Sequence, residues 1–190
     1  NDLLVHGDRE VADTQIERYL ECIARRQSRE PLQHITGVQD FMGLEFAVNE
    51  HVLIPRQDTE ILVEEVMKDE FDGSRILDMC TGSGCIGLAI ASRVKDARVT
   101  LADVSRDALA VAKKNIALTK KTGRVSCYQV DALKEPEAFL GQFHMIVSNP
   151  PYITTQEMEQ LPVSVRDYEP HLALHGGEDG LIFYRAIAAN

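Results

Sequence analysis

The sequence predicts an α/β fold in which helices cover both faces of a parallel β-sheet. Two observations support this prediction. From residue 57 onward, extended and helical patterns alternate along the chain, and such alternation requires right-handed crossovers between parallel strands. In addition, a glycine-rich turn joins the first extended segment of that series to a helical one, which is typical of sheets that bind nucleotides. Ligands of such sheets bind beyond the carboxyl ends of the strands, so the residues at those ends are the candidates for a site.

Residues 1–30 are predicted to be the remaining part of a small helical domain. Residues 14–27 repeat with a helical period, and Thr14 or Asp13 is available to cap the helix. The apolar face of this helix consists of Ile16, Tyr19, Leu20 and Ile23. Residues 31–55 instead combine glycines with alternating apolar side chains, which predicts a β-hairpin that links two domains.

Residues 56–190 are predicted to form the larger domain, which contains the parallel sheet. Helices are expected at residues 59–70, 85–94 and 107–119, and strands at residues 75–79, 98–103, 125–130 and 143–147. Residues 154–180 are mostly irregular and too long for a plain connection, which favours an active-site loop. The sequence stops in or just after a helix without a closing strand, so we expect this domain to be incomplete at its C-terminus.

Composition and charge argue against several functional classes. The proportions of apolar (44%) and charged (26%) residues are ordinary for a folded soluble protein. A net charge of −10 argues against a sequence-independent grip on nucleic acid, and no segment approaches the ~20 apolar residues of a membrane span. The four cysteines have neither metal-site nor disulfide spacing. We therefore expect a cytoplasmic monomer with no metal, no direct nucleic acid partner and no membrane partner.

A glycine motif and a following acidic residue predict a site for an adenosine-type ligand. Gly82, Gly84 and Gly87 form a G-x-G-x-x-G, and Asp103 ends the next strand about 20 residues later. The glycines let a ligand approach the backbone, and the helix that follows offers free N–H groups. A carboxylate at the end of the second strand can accept hydrogen bonds from both ribose hydroxyls. The alternatives are that the glycines only form a turn and that Asp103 only caps a helix.

Two further acidic residues bear on the kind of adenosine ligand. Asp78 lies four residues before Gly82, where an acidic group suits a ligand with an ammonium, such as the amino acid portion of S-adenosylmethionine. In a NAD-binding site, the strand before the glycine motif is usually apolar up to the first glycine. The alternative for Asp78 is a cap of the following turn. Asp131 ends the third strand, where a contact with an adenine amino group and an Asx-turn are equally compatible with the sequence.

The segment Asn149-Pro150-Pro151-Tyr152 follows a strand and predicts a rigid site for a planar amino group. The Asn149 side-chain oxygen and the Pro150 carbonyl can accept hydrogen bonds from both N–H groups of an amide or an exocyclic base amine. Acceptors in this position favour the positive charge that builds on nitrogen during methyl transfer. The prolines keep the acceptors out of a β-ladder, and Tyr152 offers a face for stacking. The alternative is a rigid turn that only ends the strand.

With these residues assembled, the sequence resembles the HemK family, also known as PrmC, of glutamine methyltransferases that act on peptide chain release factors. The resemblance covers essentially the whole chain. Its motifs are matched by residues 30–37 (EPLQHITG), 41–46 (FMGLEF), 54–60 (IPRQDTE), 78–84 (DMCTGSG), 149–152 (NPPY) and 169–181 (EPHLALHGGEDGL). Two departures are visible: Cys80 stands in place of the first loop glycine of the family, and Gln57-Asp58 stands in place of Pro-Glu.

The resemblance implies a Rossmann-like class I methyltransferase sheet, truncated at its C-terminus, that uses S-adenosylmethionine and releases S-adenosylhomocysteine. It also implies methyl transfer to the side-chain amide of the glutamine in the Gly-Gly-Gln loop of a release factor. Together with the acidic residues discussed above, the predicted cofactor contacts are Asp78, Cys80, Thr81, Gly82, Ser83, Gly84, Asp103, Asp131, Ala132 and Asn149. The predicted catalytic residues are Asn149, Pro150 and Tyr152, which together with Pro151 hold the substrate.

Other functions are compatible with parts of the pattern. A ribosomal-protein glutamine methyltransferase shares the pocket, although the R-x-x-T-E segment at residues 56–60 favours the release factor enzyme. A DNA adenine-amino methyltransferase would also suit an N-P-P-Y pocket, but the acidity of the chain counts against it. The remaining alternative functions are a non-catalytic binding module and a nicotinamide oxidoreductase. His171 and His175 are four residues apart, but no third ligand is suggested, so a metal site is not predicted.

Overall fold

The computed structural model describes residue 7 and residues 10–68, 72–121 and 123–189. A short helical region, a β-hairpin, a parallel four-stranded sheet and a helical C-terminal segment follow one another along these residues. The predicted α/β fold with a parallel sheet is confirmed. Among the helices of this described part of the chain, none combines the length and the apolar character needed to cross a membrane.

Helix α1 (Asp13–Gln27) opens the described structure without a side-chain cap hydrogen bond. The predicted cap at Thr14 or Asp13 is wrong, because both residues already lie inside the first turn. The apolar face of α1 is exposed: Ile16 43%, Tyr19 66%, Leu20 59% and Ile23 38%. A short second helix, α2 (Leu32–Thr36), ends at Gly37 with a φ of +76°, a left-handed conformation that favours glycine at helix ends.

The predicted hairpin is present, with β1 (Val38–Phe41) and β2 (Leu44–Ala47) paired antiparallel. Met42 and Gly43 form its two-residue turn with φ angles of +52° and +71°, as required by turns whose twist matches that of the strands. The two phenylalanine rings of the hairpin pack edge to face and belong to the main core. The hairpin therefore packs on the sheet, and the division of the chain into domains at residues 30 and 55 stays a prediction.

The parallel sheet places the glycine loop beside Asn149. Its strands are β3 (Arg75–Met79), β4 (Arg98–Asp103), β5 (Val125–Gln129) and β6 (Met145–Ser148), in the spatial order β5-β4-β3-β6. Helices α3 (Glu60–Val66), α4 (Cys85–Arg93) and α5 (Arg106–Leu118) accompany the sheet, and residues 69–70 of the predicted first helix lie outside the described residues. Because β3 and β6 are neighbours, the segments that follow these two strands meet at one edge of the sheet.

Helix α4 packs closely against the sheet, and most of its residues are buried. Gly87 permits this approach, because a Cβ there would lie 2.4 Å from Leu101 Cδ2 and 3.0 Å from an oxygen of Asp78. The last glycine of the motif therefore serves helix–strand packing. This packing fixes the start of α4 at the carboxyl ends of β3 and β4.

Residues 154–180, predicted to be mostly irregular, contain several short helical turns. These are α6 (Thr155–Met158), α7 (Val163–Arg166) and a 3-10 turn (His171–Ala173), and α8 (Ile182–Ala189) follows them. Helices of one turn are too short to show a period in the sequence, which is why the pattern missed them. A parallel β-bridge between Ile153 and His175 joins the end of this segment to the residues that follow β6.

Candidate active site

Two cavities adjoin at the carboxyl ends of the strands. They span about 910 Å³ and about 1050 Å³ when the solvent-filled space at their mouths is included, and both are partly open to solvent. The glycine loop and the ends of β4 and β5 contribute to the first cavity, and the turn after β6 and parts of residues 161–174 contribute to the second. The residues that line both cavities are Leu53, Arg56, Thr59, Asn149 and Ala173. The two cavities therefore share a wall.

Asp103 lies in the first cavity with its carboxylate held by the backbone. Its Oδ2 accepts a hydrogen bond from Gly82 N (2.8 Å), and its Oδ1 accepts one from Ser105 N (2.9 Å). Burial raises the pKa of this carboxyl, and the backbone hydrogen bonds oppose the rise. Helix α5 is capped by the Ser105 hydroxyl, which accepts from Ala108 N. Asp103 is thus not the side-chain cap of this helix, and its remaining lone pairs are available to a ligand.

Asp78 is fully buried and bonds to the glycine loop. Its Oδ2 accepts hydrogen bonds from Thr81 Oγ1 (2.6 Å) and from Gly87 N (2.9 Å). Its Oδ1 has no hydrogen-bond partner among the described residues. Thr81 lines the first cavity, whereas Asp78 is not among the described residues of its wall. The geometry therefore makes Asp78 an anchor of the loop, and its contact with a ligand ammonium stays a prediction.

Cys80 adopts a backbone conformation that glycine accepts more easily. Its φ is +59°, in the left-handed region that is costly for residues with a Cβ. Burial, assisted by Asp103 and Asp78, raises the pKa of the Cys80 thiol to about 12, so a neutral thiol faces the cavity. Gly82 and Gly84 of the loop also have positive φ angles, of +54° and +84°. Gly84 lies at the start of α4 and is not on the described cavity wall.

Asp131 and Ala132 follow β5 and line the first cavity. Asp131 Oδ1 accepts a hydrogen bond from Leu133 N (3.0 Å), and Asp131 Oδ2 lies 3.2 Å from Lys134 Nζ. The side chain therefore forms the Asx-turn that the sequence allowed, and it also reaches the cavity. A contact of Asp131 with an adenine amino group stays a prediction.

The segment after β6 divides its side chains between the two cavities. Asn149 lines both, Pro151 lines the first, and Pro150 and Tyr152 line the second. Tyr152 is 57% exposed, whereas Pro150 is fully buried. Asn149 Nδ2 donates a hydrogen bond to Thr59 Oγ1 (3.3 Å). The rigid turn thus presents one amide and one aromatic ring to the same region.

Several residues of the site had no role assigned from the sequence. Arg56 and Thr59 line both cavities, and their only signal was the match of residues 54–60 to a family motif. The Arg56 guanidinium pairs with the buried carboxylate of Glu169. Asn115 is fully buried in α5, and its Nδ2 donates to Ser83 O (2.9 Å), which fastens the glycine loop from behind. No pattern marked Asn115, because a single polar residue on a helix predicts exposure.

The two histidines of the C-terminal segment contact each other and a hydroxyl. The ring centroids of His171 and His175 lie 5.2 Å apart, and His175 Nε2 lies 2.9 Å from Thr155 Oγ1. Within the described ranges, no group of three or more His, Cys, Asp or Glu side chains is arranged to hold a metal ion.

Both the region that contains the sheet and the N-terminal region match known protein families. The family described as methyltransferase small domain matches residues 56–165, and that described as PrmC N-terminal domain matches residues 1–37. A release factor glutamine methyltransferase of Clostridium acetobutylicum is 42% identical over 189 residues, which cover 98% of this chain and 66% of the relative. One of Geobacter sulfurreducens is 43% identical over 187 residues, covering 97% and 64%.

These matches confirm the predicted resemblance, and they also show that the chain spans 66% and 64% of the length of these relatives. Among solved structures, the hMettl16 catalytic domain in complex with MAT2A 3'UTR hairpin 6 is similar, with a TM-score of 0.59 at 18% identity. The match covers 93% of this chain and 62% of that one. At this identity, the likeness concerns the fold alone.

Proposed function

The chain belongs to the methyltransferase small domain family, and we propose that it transfers a methyl group from S-adenosylmethionine to the side-chain amide of the glutamine in the Gly-Gly-Gln motif of peptide chain release factors. The observation that carries this proposal is the wall at Asn149 that the two cavities share. A methyl donor in one cavity and a planar amide in the other would meet there. The names of the relatives support a release factor as the partner.

The groups on the wall of the first cavity suit S-adenosylmethionine. The Asp103 carboxylate keeps lone pairs that suit ribose hydroxyls. The rest of the expected contact surface is supplied by Cys80, Thr81, Gly82, Ser83, Asp131 and Ala132. When bound, the cofactor would supply an electrophilic methyl carbon attached to sulfur; the carbon–sulfur bond breaks as the bond to the amide nitrogen forms, and the nitrogen loses one proton to water.

Asn149, Pro150 and Tyr152 orient the acceptor amide. Because Asn149 Nδ2 donates to Thr59, its Oδ1 is the atom left to accept from the substrate, together with the Pro150 carbonyl. These acceptors favour positive charge on a nitrogen whose delocalised lone pair attacks poorly. The Tyr152 ring, which lines the second cavity, provides a stacking face. Alignment of the reacting groups can contribute roughly 7–11 kcal/mol to lowering the barrier.

Replacing Asn149 by Ala tests this assignment. We expect the rate of methyl transfer to a release factor to fall by about two orders of magnitude or more, as when other sites lose one preorganised group. The dissociation constant for S-adenosylmethionine should change little, because the loop and Asp103 remain. Tritium transfer measures the rate, and calorimetry measures the affinity.

Asp103→Ala is the matched control for Asn149→Ala. It should weaken cofactor binding first, since it removes the acceptor for the ribose and the partner of the Gly82 N–H. Transfer at the wild-type rate by the Asn149 variant would refute the role of Asn149. Mass spectrometry of the release factor should place the added methyl on one glutamine.

The same assays decide among the rival functions. Ribosomal proteins and duplex DNA, offered as acceptors in place of the release factor, should gain no methyl group. NAD should not compete with S-adenosylmethionine. A folded sample that gives no heat with S-adenosylmethionine would instead favour a non-catalytic binding module.

A further inference from the structure

We propose that Thr59 is a positioning residue that restrains the side-chain torsion of the Asn149 carboxamide in the wall shared by the two cavities. The inference rests on the proposed function, because Asn149 is the residue expected to hold the substrate amide. It extends that function to a residue of another element, since Thr59 and Asn149 are 90 residues apart in the sequence.

The contact is a hydrogen bond of 3.3 Å in which Asn149 Nδ2 donates to Thr59 Oγ1. Both residues line both cavities. Thr59 ends a 3-10 turn (Gln57–Thr59), and its backbone N donates to Arg56 O at 3.0 Å. The hydroxyl therefore projects from an ordered turn toward the shared wall.

The residues on either side of Thr59 are themselves fastened. The Arg56 guanidinium pairs with the Glu169 carboxylate, which is 1% exposed. Glu60 Oε1 accepts a hydrogen bond from Met42 N at 2.5 Å. Because the turn is held from two sides, the backbone position of Thr59 is set independently of Asn149. Such independence is what a positioning group requires.

The chemistry of the amide explains why Asn149 needs a partner. The terminal torsion of Asn is broad and roughly two-fold, so an unrestrained carboxamide also presents its NH2 group where its oxygen should be. An NH2 group in that place would face the NH2 group of the substrate, and two donors cannot bond to each other. In the arrangement present, Nδ2 donates to Thr59 and Oδ1 is left as the acceptor for the substrate. Because a hydroxyl can also donate, the bond to Thr59 restrains the torsion of the carboxamide, and the NH2 group of the substrate favours the orientation in which Oδ1 faces it.

Thr59→Val is the decisive substitution, because it keeps the branched shape and removes only the hydroxyl. We expect the single-turnover rate of methyl transfer to fall about three- to tenfold, the effect of losing one neutral hydrogen bond. Thr59→Ser keeps the hydroxyl and should restore most of the rate. Thr100→Val, which makes the same change in β4, is the matched control and should react at the wild-type rate.

A cycle with Asn149→Ala separates positioning from a general structural role. If Thr59 acts through the Asn149 carboxamide, Thr59→Val should have almost no further effect on the rate in the Asn149→Ala background. Equal losses in both backgrounds, or a Thr59→Val variant as fast as wild type, would overturn the inference.

A second readout does not require turnover. In nitrogen-15 NMR spectra, the Asn149 side-chain NH2 signal is identified by its loss in Asn149→Ala. It should shift in Thr59→Val and stay near its wild-type position in Thr59→Ser and Thr100→Val. An unchanged signal in Thr59→Val would also overturn the inference. If the wild-type chain methylates no release factor, the proposed function fails, but these spectra still decide the role of Thr59.

Discussion

At the scale of single residues, Asp78 is a buried acid that organises the glycine loop. One of its oxygens joins Thr81, at the start of the loop, to Gly87, inside α4. Burial opposes ionisation and raises the pKa of Asp78 to about 7, although both hydrogen bonds favour the charged form. The anchor of the loop therefore changes its charge near neutral pH.

Asp78→Asn should remove one component of the pH dependence of folding stability. Asp ionises near pH 3.9 in an unfolded chain, whereas folded Asp78 ionises near 7. Between these values the folded state binds more protons than the unfolded state, so this residue lowers the stability as pH rises through the interval. The unfolding free energy of Asp78→Asn, relative to wild type, should therefore increase with pH by up to about 1.4 kcal/mol per unit. Urea titrations between about pH 5 and pH 8 measure it, and a pH-independent difference would contradict the assignment.

Sequence reasoning found the residues of the site that belong to local patterns. Asp103 and Asn149 stand where strands end, and both lie in the cavities. Sequence reasoning did not identify Thr59 and Asn115, because their roles depend on partners that are distant in the chain. Asn115 contacts the backbone of Ser83 and of Ala47, which are 32 and 68 residues away. No local pattern carries information about such contacts.

At the scale of elements, the short segment at residues 56–60 joins three parts of the molecule. Its Arg56 reaches Glu169 in the C-terminal segment, its Thr59 reaches Asn149 after β6, and its Glu60 reaches the turn of the hairpin. The sequence predicted the hairpin and the strands, because alternation and turn residues are local signals. It used this segment only as a family motif and predicted none of its contacts, because they are made with distant elements.

Gly176→Ala should disturb the turn that holds Pro151 and Tyr152. A Cβ at Gly176 would lie 2.6 Å from Tyr152 Cα and 2.7 Å from Pro151 O, and these backbone atoms cannot rotate away as a side chain could. We expect a loss of stability of about 1–3 kcal/mol, as for other overpacked sites. A shift of the turn by about 1 Å could also lower the transfer rate up to a hundredfold.

Gly123→Ala is the matched control for Gly176→Ala. A Cβ at Gly123 meets nothing within 4 Å, and Gly123 is not among the glycines with positive φ. Gly123→Ala should leave the transfer rate unchanged, and the free energy of unfolding should be equal or slightly higher. Equal effects of the two substitutions, in urea titrations and rate measurements, would mean that Gly176 does not brace the turn.

At the scale of the whole molecule, the site combines residues that precede the sheet in the sequence with residues that follow it. Residues 51–59 precede the first parallel strand and residues 161–174 follow the last, yet parts of both line the second cavity or its shared wall. The alternation of strands and helices predicted where ligands bind. It could not predict how the flanking segments close over that edge, because their short turns carry no period.

Glu169→Ala should reveal how much this closure stabilises the protein. The Glu169 carboxylate pairs with Arg56 and accepts a hydrogen bond from Ile54 N (3.2 Å), so it ties the segment before the sheet to the segment after it. Without it, the Ile54 N–H stays buried and unsatisfied, and Arg56 loses its partner. We expect the unfolding free energy to fall by about 2–4 kcal/mol.

Glu65→Ala is the matched control: Glu65 pairs with Lys68 but is 58% exposed, so its loss should cost less than about 1 kcal/mol. Urea titrations compare the two, and equal losses would show that the contact of Glu169 with Arg56 and Ile54 does not hold the flanking segments together.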